Sequence, residues 1–174
     1  MEWKTDPYWR YETFSLDAPA DSFDIFAGPV RMWREKAGPE RPAPDWRDIT
    51  LADLEGWWGW SQVYDLADPV EAVFRVRLWG SRLAQVLGYD ITGKIIRAAD
   101  SAPAADARLI TRNDLEFARY LLDEGLIGRG SGPLNIEHGI DINYFEIMLP
   151  LSADGQAFDK LLYFCWINKD VFPR

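Results

Sequence analysis

Two stretches near the end of the chain are apolar on both of their faces, and this constrains the fold more than any other feature. In Tyr144–Leu149, Phe145, Ile147 and Leu149 alternate with Tyr144, Glu146 and Met148. In Leu161–Ile167, Leu162, Phe164 and Trp166 alternate with Tyr163 and Cys165. Period-two alternation belongs to strands, whose successive side chains point to opposite faces. Ala153-Asp154-Gly155 lies between the runs Asn143–Leu151 and Phe158–Ile167 and is a strong hairpin signal. A sheet that is apolar on both sides needs covering on both. The chain's own helices can supply one cover. The other falls either to the N-terminal segment (Phe23, Phe26, Val30, Trp33) or to a second subunit, so a homodimer with that segment near its interface is expected.

The rest of the chain follows the same segregated pattern. Residues 1–21 show no clean period and read as an irregular arm. From Ser22 a helical spacing begins and is interrupted at Gly28-Pro29, which predicts a kinked helix or two short ones. Thr50 is a plausible N-cap for a short helix at Leu51–Leu54. Trp57–Leu66 and Val73–Trp79 read as a strand pair around an Asp68-Pro69 turn, with Phe74, Val76 and Leu78 on one face and Arg75, Arg77 and Trp79 on the other. A short helix runs from Gly80-Ser81 to Gly88. Thr111–Leu126 is the clearest helix, with Leu115, Ala118, Leu121 and Leu122 as its apolar stripe and Gly125 and Gly128 ending it. Gly130-Ser131-Gly132-Pro133 reads as a loop before a third late strand, Leu134–His138. Helices and strands that keep apart in sequence predict an antiparallel α+β domain, with residues 1–56 as arm and helical lead-in and 57–170 as the domain proper.

Composition narrows the functions. The 174 residues suit one domain, and aromatics reach 14%, which suggests thick packing or an aromatic-walled pocket. The formal net charge of −9 with scattered arginines argues against a nucleic-acid partner. A single cysteine rules out an intramolecular disulfide framework or multi-thiolate metal site. No apolar run approaches the roughly 20 residues of a membrane span, and Met1–Tyr11 is too polar for a signal peptide, so a cytoplasmic address is expected.

Four groups of residues carry a family resemblance. Phe74-Arg-Val-Arg77-Leu-Trp-Gly80-Ser-x-Leu83 is followed by Leu87-Gly88-Tyr-Asp90-Ile-Thr92-Gly93-Lys94. Later come Leu149-Pro150-Leu151-Ser-x-Asp154-Gly155 with Asp159 and Leu161-Leu162, and upstream Trp33-Arg34 with Pro44-Asp45-Trp46-Arg47-Asp48-Ile49. In this order they resemble a bacterial group of PAS-like proteins across Val30–Ile167. The resemblance implies a five-stranded antiparallel sheet flanked by helices, with an N-terminal helical extension and a hollow between the sheet and the long helix. It also implies a sensory or regulatory role: binding a small molecule, a separate signalling partner, or both. No output domain is expected, because the last strand nearly reaches Arg174, and no catalysis, because no catalytic constellation stands out.

The candidate ligand-contacting residues are Arg77, Phe145, Ile147, Phe164 and Leu122. Arg75 and Arg77 share a strand face, so they would either grip an anionic ligand or form cross-strand ion pairs, with Glu137 or Glu146 as candidate partners. The cofactor is left open. Haem-binding relatives carry their iron ligand on the long helix, and Thr111–Leu126 holds no histidine; His138, the only one, reads as structural. Flavin photosensors place a cysteine in the region corresponding to Asp90–Asp106, which has none, and Cys165 reads as a small buried hydrophobe. No metal site is expected. The competing reading is a small cone-shaped enzyme, an isomerase or hydratase, using a buried carboxylate among Asp141, Glu146 and Asp65. A purely structural dimerisation module is the third.

Overall fold

The hairpin at Ala153-Asp154-Gly155 forms as its sequence demands. Asp154 accepts from the backbone N–H groups of Gln156 (2.8 Å) and Ala157 (3.1 Å), and Gly155 takes a positive φ of 74°. A computed structural model describes residues 1–5, 9–98, 110–136 and 140–167, with residues 5, 134–136 and 140–142 described by their backbone alone. The strands are β1 (Glu2–Thr5), β2 (Arg10–Phe14), β3 (Ser61–Asp68), β4 (Val73–Trp79), β5 (Ile95–Arg97), β6 (Ile127–Ile136), β7 (Ile140–Leu151) and β8 (Lys160–Ile167). They make one sheet in the order β1-β2-β6-β7-β8-β3-β4-β5, with every pairing antiparallel.

This overturns the five-stranded α+β expectation. The sheet has eight strands and only three α-helices accompany it among the described residues, so the fold is mostly β. Three strands escaped the sequence reading. Residues 2–14 lack a clean apolar period, yet Arg10–Phe14 pairs residue for residue with Ser131–Ile127. The three-residue β5 is shorter than any periodicity can register. The strand β6 begins at Ile127, seven residues before the expected Leu134, because Gly128, Gly130 and Gly132 resemble turn residues.

Those glycines have a packing reason. A Cβ on Gly128 would lie 2.3 Å from Leu121 Cδ1, one on Gly130 2.8 Å from Glu146 Oε1, and one on Gly132 2.6 Å from Trp9 Cδ2. At two-residue spacing they line one face of β6 and let large side chains sit directly on the backbone. The helix above that face, α3 (Arg112–Glu124), opens on a capping box. Thr111 Oγ1 accepts from Asp114 N (3.2 Å), and Asp114 Oδ2 accepts from Thr111 N (2.5 Å). It closes on Gly125 in the left-handed region.

The two faces carry separate cores. The inner one packs Leu115, Phe117, Ala118, Leu121 and Leu122 of α3 against Tyr64, Tyr144, Met148 and Tyr163. The outer one packs the 3-10 segment Ala20–Phe26 and α1 (Ala27–Ala37) against Ile147, Leu149, Leu162 and Phe164. Phe23, Phe26, Val30 and Trp33 are buried there, each contributing about 1.5–3 kcal/mol through the area it removes from water. Trp33 Nε1 also donates to the Pro150 carbonyl (2.7 Å). The chain therefore covers most of this face itself.

One facial assignment is reversed by a β-bulge. The β3–β4 register jumps from Val63↔Leu78 to Tyr64↔Val76, leaving Arg77 as an extra residue on β4. Leu78 consequently joins the outer core, and Trp79 joins Phe74 and Val76 in the inner one. A short helix, α2 (Ser81–Leu87), follows directly. Gly80 tolerates no side chain at this junction, since a Cβ would lie 2.3 Å from the Gly59 carbonyl oxygen.

Candidate functional site

The hollow under α3 is filled by side chains. Tyr144 and Glu146 of β7, Tyr163 and Cys165 of β8, Gln62 and Tyr64 of β3 and Asp114 of α3 converge there. What remains open is a cavity of about 20 Å³ between Gln62, Tyr64, Asp114, Leu115, Glu146 and Tyr163. That is room for about one water molecule.

The polar groups form a connected network. Tyr144 Oη donates to Glu146 Oε2 (2.9 Å) and accepts from Gln62 Nε2 (3.2 Å), while Tyr64 Oη donates to Gln62 Oε1 (2.7 Å). Cys165 Sγ lies within reach of both Tyr144 and Gln62. Burial pushes the Glu146 carboxyl up to about 8, the nearby Asp114 charge pushes the same way, and the Tyr144 hydrogen bond pulls back only partly. No basic group partners Glu146 among the described residues. Burial likewise raises the Cys165 thiol and the Tyr64, Tyr144 and Tyr163 phenols. At neutral pH Glu146 is thus a neutral acid. Asp114 occupies the positive end of α3, where it accepts from the Thr111 backbone N–H and from the Tyr11 hydroxyl (2.6 Å).

The larger opening lies on the other face of the sheet. A groove of about 400 Å³ runs between the Ala20–Phe26 segment and strands β2, β6, β7 and β8. Its apolar walls are Phe23, Phe26, Phe145 and Trp166, with Ile25 at the edge. Phe145 is 38% exposed and Ile25 49%, although most other large apolar side chains are buried. The polar end is built on Glu12, which bridges two guanidinium groups. Arg10 Nη2 meets Glu12 Oε1 and Arg129 Nη2 meets Oε2, both at 2.8 Å. Arg129 also lies over the Phe14 ring, 5.2 Å from its centroid, and reaches Asp24 at 3.6 Å. Asp24 sits at φ 49°, ψ −118°, a strained backbone for a residue with a side chain.

The expected contact residues do not form one site. Phe145 lines the groove, whereas its outer-face neighbours Ile147 and Phe164, directly paired across β7 and β8, are fully buried. Leu122 belongs to the inner core on the opposite side of the sheet. Arg77 pairs with Asp65 and not with Glu146, its Nε donating to Oδ1 (3.0 Å) and Oδ2 (2.9 Å). This pair is the ionic alternative for Arg77, and it holds Asp65 in an ion pair. Cys165 is buried. His138, Glu137 and the Asp141 side chain lie outside the described residues. Among those described, no cluster of three His, Cys, Asp or Glu side chains could hold a metal ion.

Sequence reading missed Arg10, Glu12, Arg129 and Trp166 as companions of Phe145. The available signal was the alternation of charge with aromatic and β-branched residues in Arg10-Tyr-Glu-Thr-Phe14, a strand pattern hidden in the arm. No protein-family model matches this chain, and no curated protein matches it in sequence. No helix among the described residues is long and apolar enough to cross a membrane.

Proposed function

We propose that this chain is a regulatory binding module whose ligand site is the outer-face groove. The carrying observation is the contrast in free volume. The hollow beneath α3 holds about 20 Å³, while the groove offers about 400 Å³, within the range of small-molecule sites. The motif resemblance to PAS-like sensors supports a binding role without specifying a ligand.

The groove's chemistry favours a small molecule with an apolar or aromatic body and a carboxylate. Phe145 and Trp166 offer ring faces, and the Arg10 guanidinium is about two-thirds exposed with no side-chain partner other than Glu12 among the described residues. A cytoplasmic address and a separate signalling protein belong to the same reading. Self-association loses part of its motive, since α1 and the preceding 3-10 segment already cover most of the outer face.

Titration calorimetry with two probes of like shape and opposite charge, phenylacetate and phenethylamine, tests the assignment. Phenylacetate is expected to bind and phenethylamine to bind at least tenfold more weakly. Arg10→Ala and Phe145→Ala should each weaken phenylacetate about tenfold. Equal binding of both probes, or binding indifferent to these substitutions, would remove the groove as the ligand site.

One observation favours the enzyme reading as second choice: Glu146 is a buried carboxyl with a raised pKa beside a second carboxylate. The one-water cavity leaves no room for a substrate, so this reading ranks below binding.

A further inference from the structure

The groove and the hollow are back to back on the same three strands. Ser131, Phe145 and Trp166 are direct register partners across β6, β7 and β8, and all three line the groove. The adjacent row is Gly130, Glu146 and Cys165, also direct partners, and it faces the hollow. Each residue of one row is bonded through the backbone to a residue of the other.

The groups that face Glu146 come from every packed element. They are Tyr144 on its own strand, Tyr163 and Cys165 from β8, Gln62 and Tyr64 from β3, Tyr11 from β2 and Asp114 from α3, with Gly130 beneath from β6. Among these described residues none is basic, and the one that carries charge, Asp114, is an anion. An ionised Glu146 would therefore be a buried carboxylate beside another carboxylate, with no cation among the described residues to offset it. Its side chain has little slack, because even a Cβ on Gly130 would approach Oε1 to 2.8 Å. Relief requires water to enter or the Gly130–Glu146–Cys165 row to shift, and in a close-packed sheet that shift carries the neighbouring row with it.

We propose that the protonation state of Glu146 regulates the groove. The neutral acid holds the Ser131–Phe145–Trp166 row in its ligand-receiving shape, and ionisation deforms it. This rests on the groove being the ligand site, but the proton link is observable without any ligand.

The test is an NMR titration from pH 5.5 to 9.5 that follows the Glu146 side-chain carboxyl carbon and the amides of Ser131, Phe145 and Trp166. It is run on the unmodified protein and on Glu146→Gln, with phenylacetate affinity measured at pH 6 and pH 9. The carboxyl is expected to titrate with a midpoint above 7, and the three amides to move with that same midpoint. Phenylacetate affinity should fall at least threefold between the two pH values. In Glu146→Gln the amide titration and the affinity change should both vanish. A carboxyl midpoint below 5.5 overturns the proposal, as do amides that stay still while the carboxyl titrates. Amides that follow the carboxyl without phenylacetate binding at either pH would uphold the proton link and sink the groove as the ligand site.

Discussion

Glu146 shows how far a residue's surroundings outweigh its type. Its sequence neighbours place it in a doubly apolar strand, yet the sequence equally allowed it as an ion-pair partner of Arg75 and Arg77 on a solvated face, so its burial was not legible. Nor was its role: the acid is defined by Asp114, Gln62 and Cys165, which lie far away in sequence. The thermodynamic consequence has a definite sign. The folded-state pKa, about 8, lies above the ordinary value of 4.5. Below pH 4.5 both folded and unfolded states hold the proton and nothing is lost. Between 4.5 and 8 only the unfolded chain releases it, so stability falls as pH rises, by about 1.4 kcal/mol per pH unit. The total cost reaches about 5 kcal/mol above pH 8. Glu146→Gln is therefore expected to match the parent protein near pH 4 and to exceed its stability by several kcal/mol at pH 8.5. Urea unfolding at the two pH values measures this, and a constant difference between the proteins would refute it.

At the scale of elements, helices and strands differ in what reveals them. Thr111, Gly125 and the Leu115–Leu122 stripe are local signals, and α3 forms where they place it. The strand β6 carries the opposite lesson. Its glycines look like punctuation because the residues that need their absent side chains (Leu121, Glu146 and Trp9) come from three different elements. The Arg77 bulge was equally invisible, since a strand's sequence does not record which partner residue is skipped. These contacts predict a contrast between two glycines. Gly128→Ala drives a Cβ into Leu121 and Phe117 and should destabilise the protein by about 1–3 kcal/mol. Gly28→Ala, inside α1 with nothing within 4 Å of its added carbon, should be neutral or stabilising by up to about 1 kcal/mol. Equal effects in denaturant unfolding would contradict the packing account of β6.

At the scale of the whole molecule, the doubly apolar strands correctly required two covers. What sequence left open was which cover is complete. The inner face is closed by α3 down to a space for about one water, whereas the outer face is covered in part by α1 and the preceding 3-10 segment and stays open over Ser131, Phe145 and Trp166. The N-terminal arm completes this asymmetry, because β2 extends the sheet beyond β6 and supplies Arg10 and Glu12 to the groove's rim. A pattern-based count of five strands omits the strand that makes the groove amphipathic. The central claim is that binding occurs on this outer face and not in the hollow. Its most direct test is a crystal structure of the protein soaked with phenylacetate. The account predicts a ring between Phe145 and Trp166 with its carboxylate at Arg10; density beside Glu146 beneath α3, with the groove empty, would contradict it.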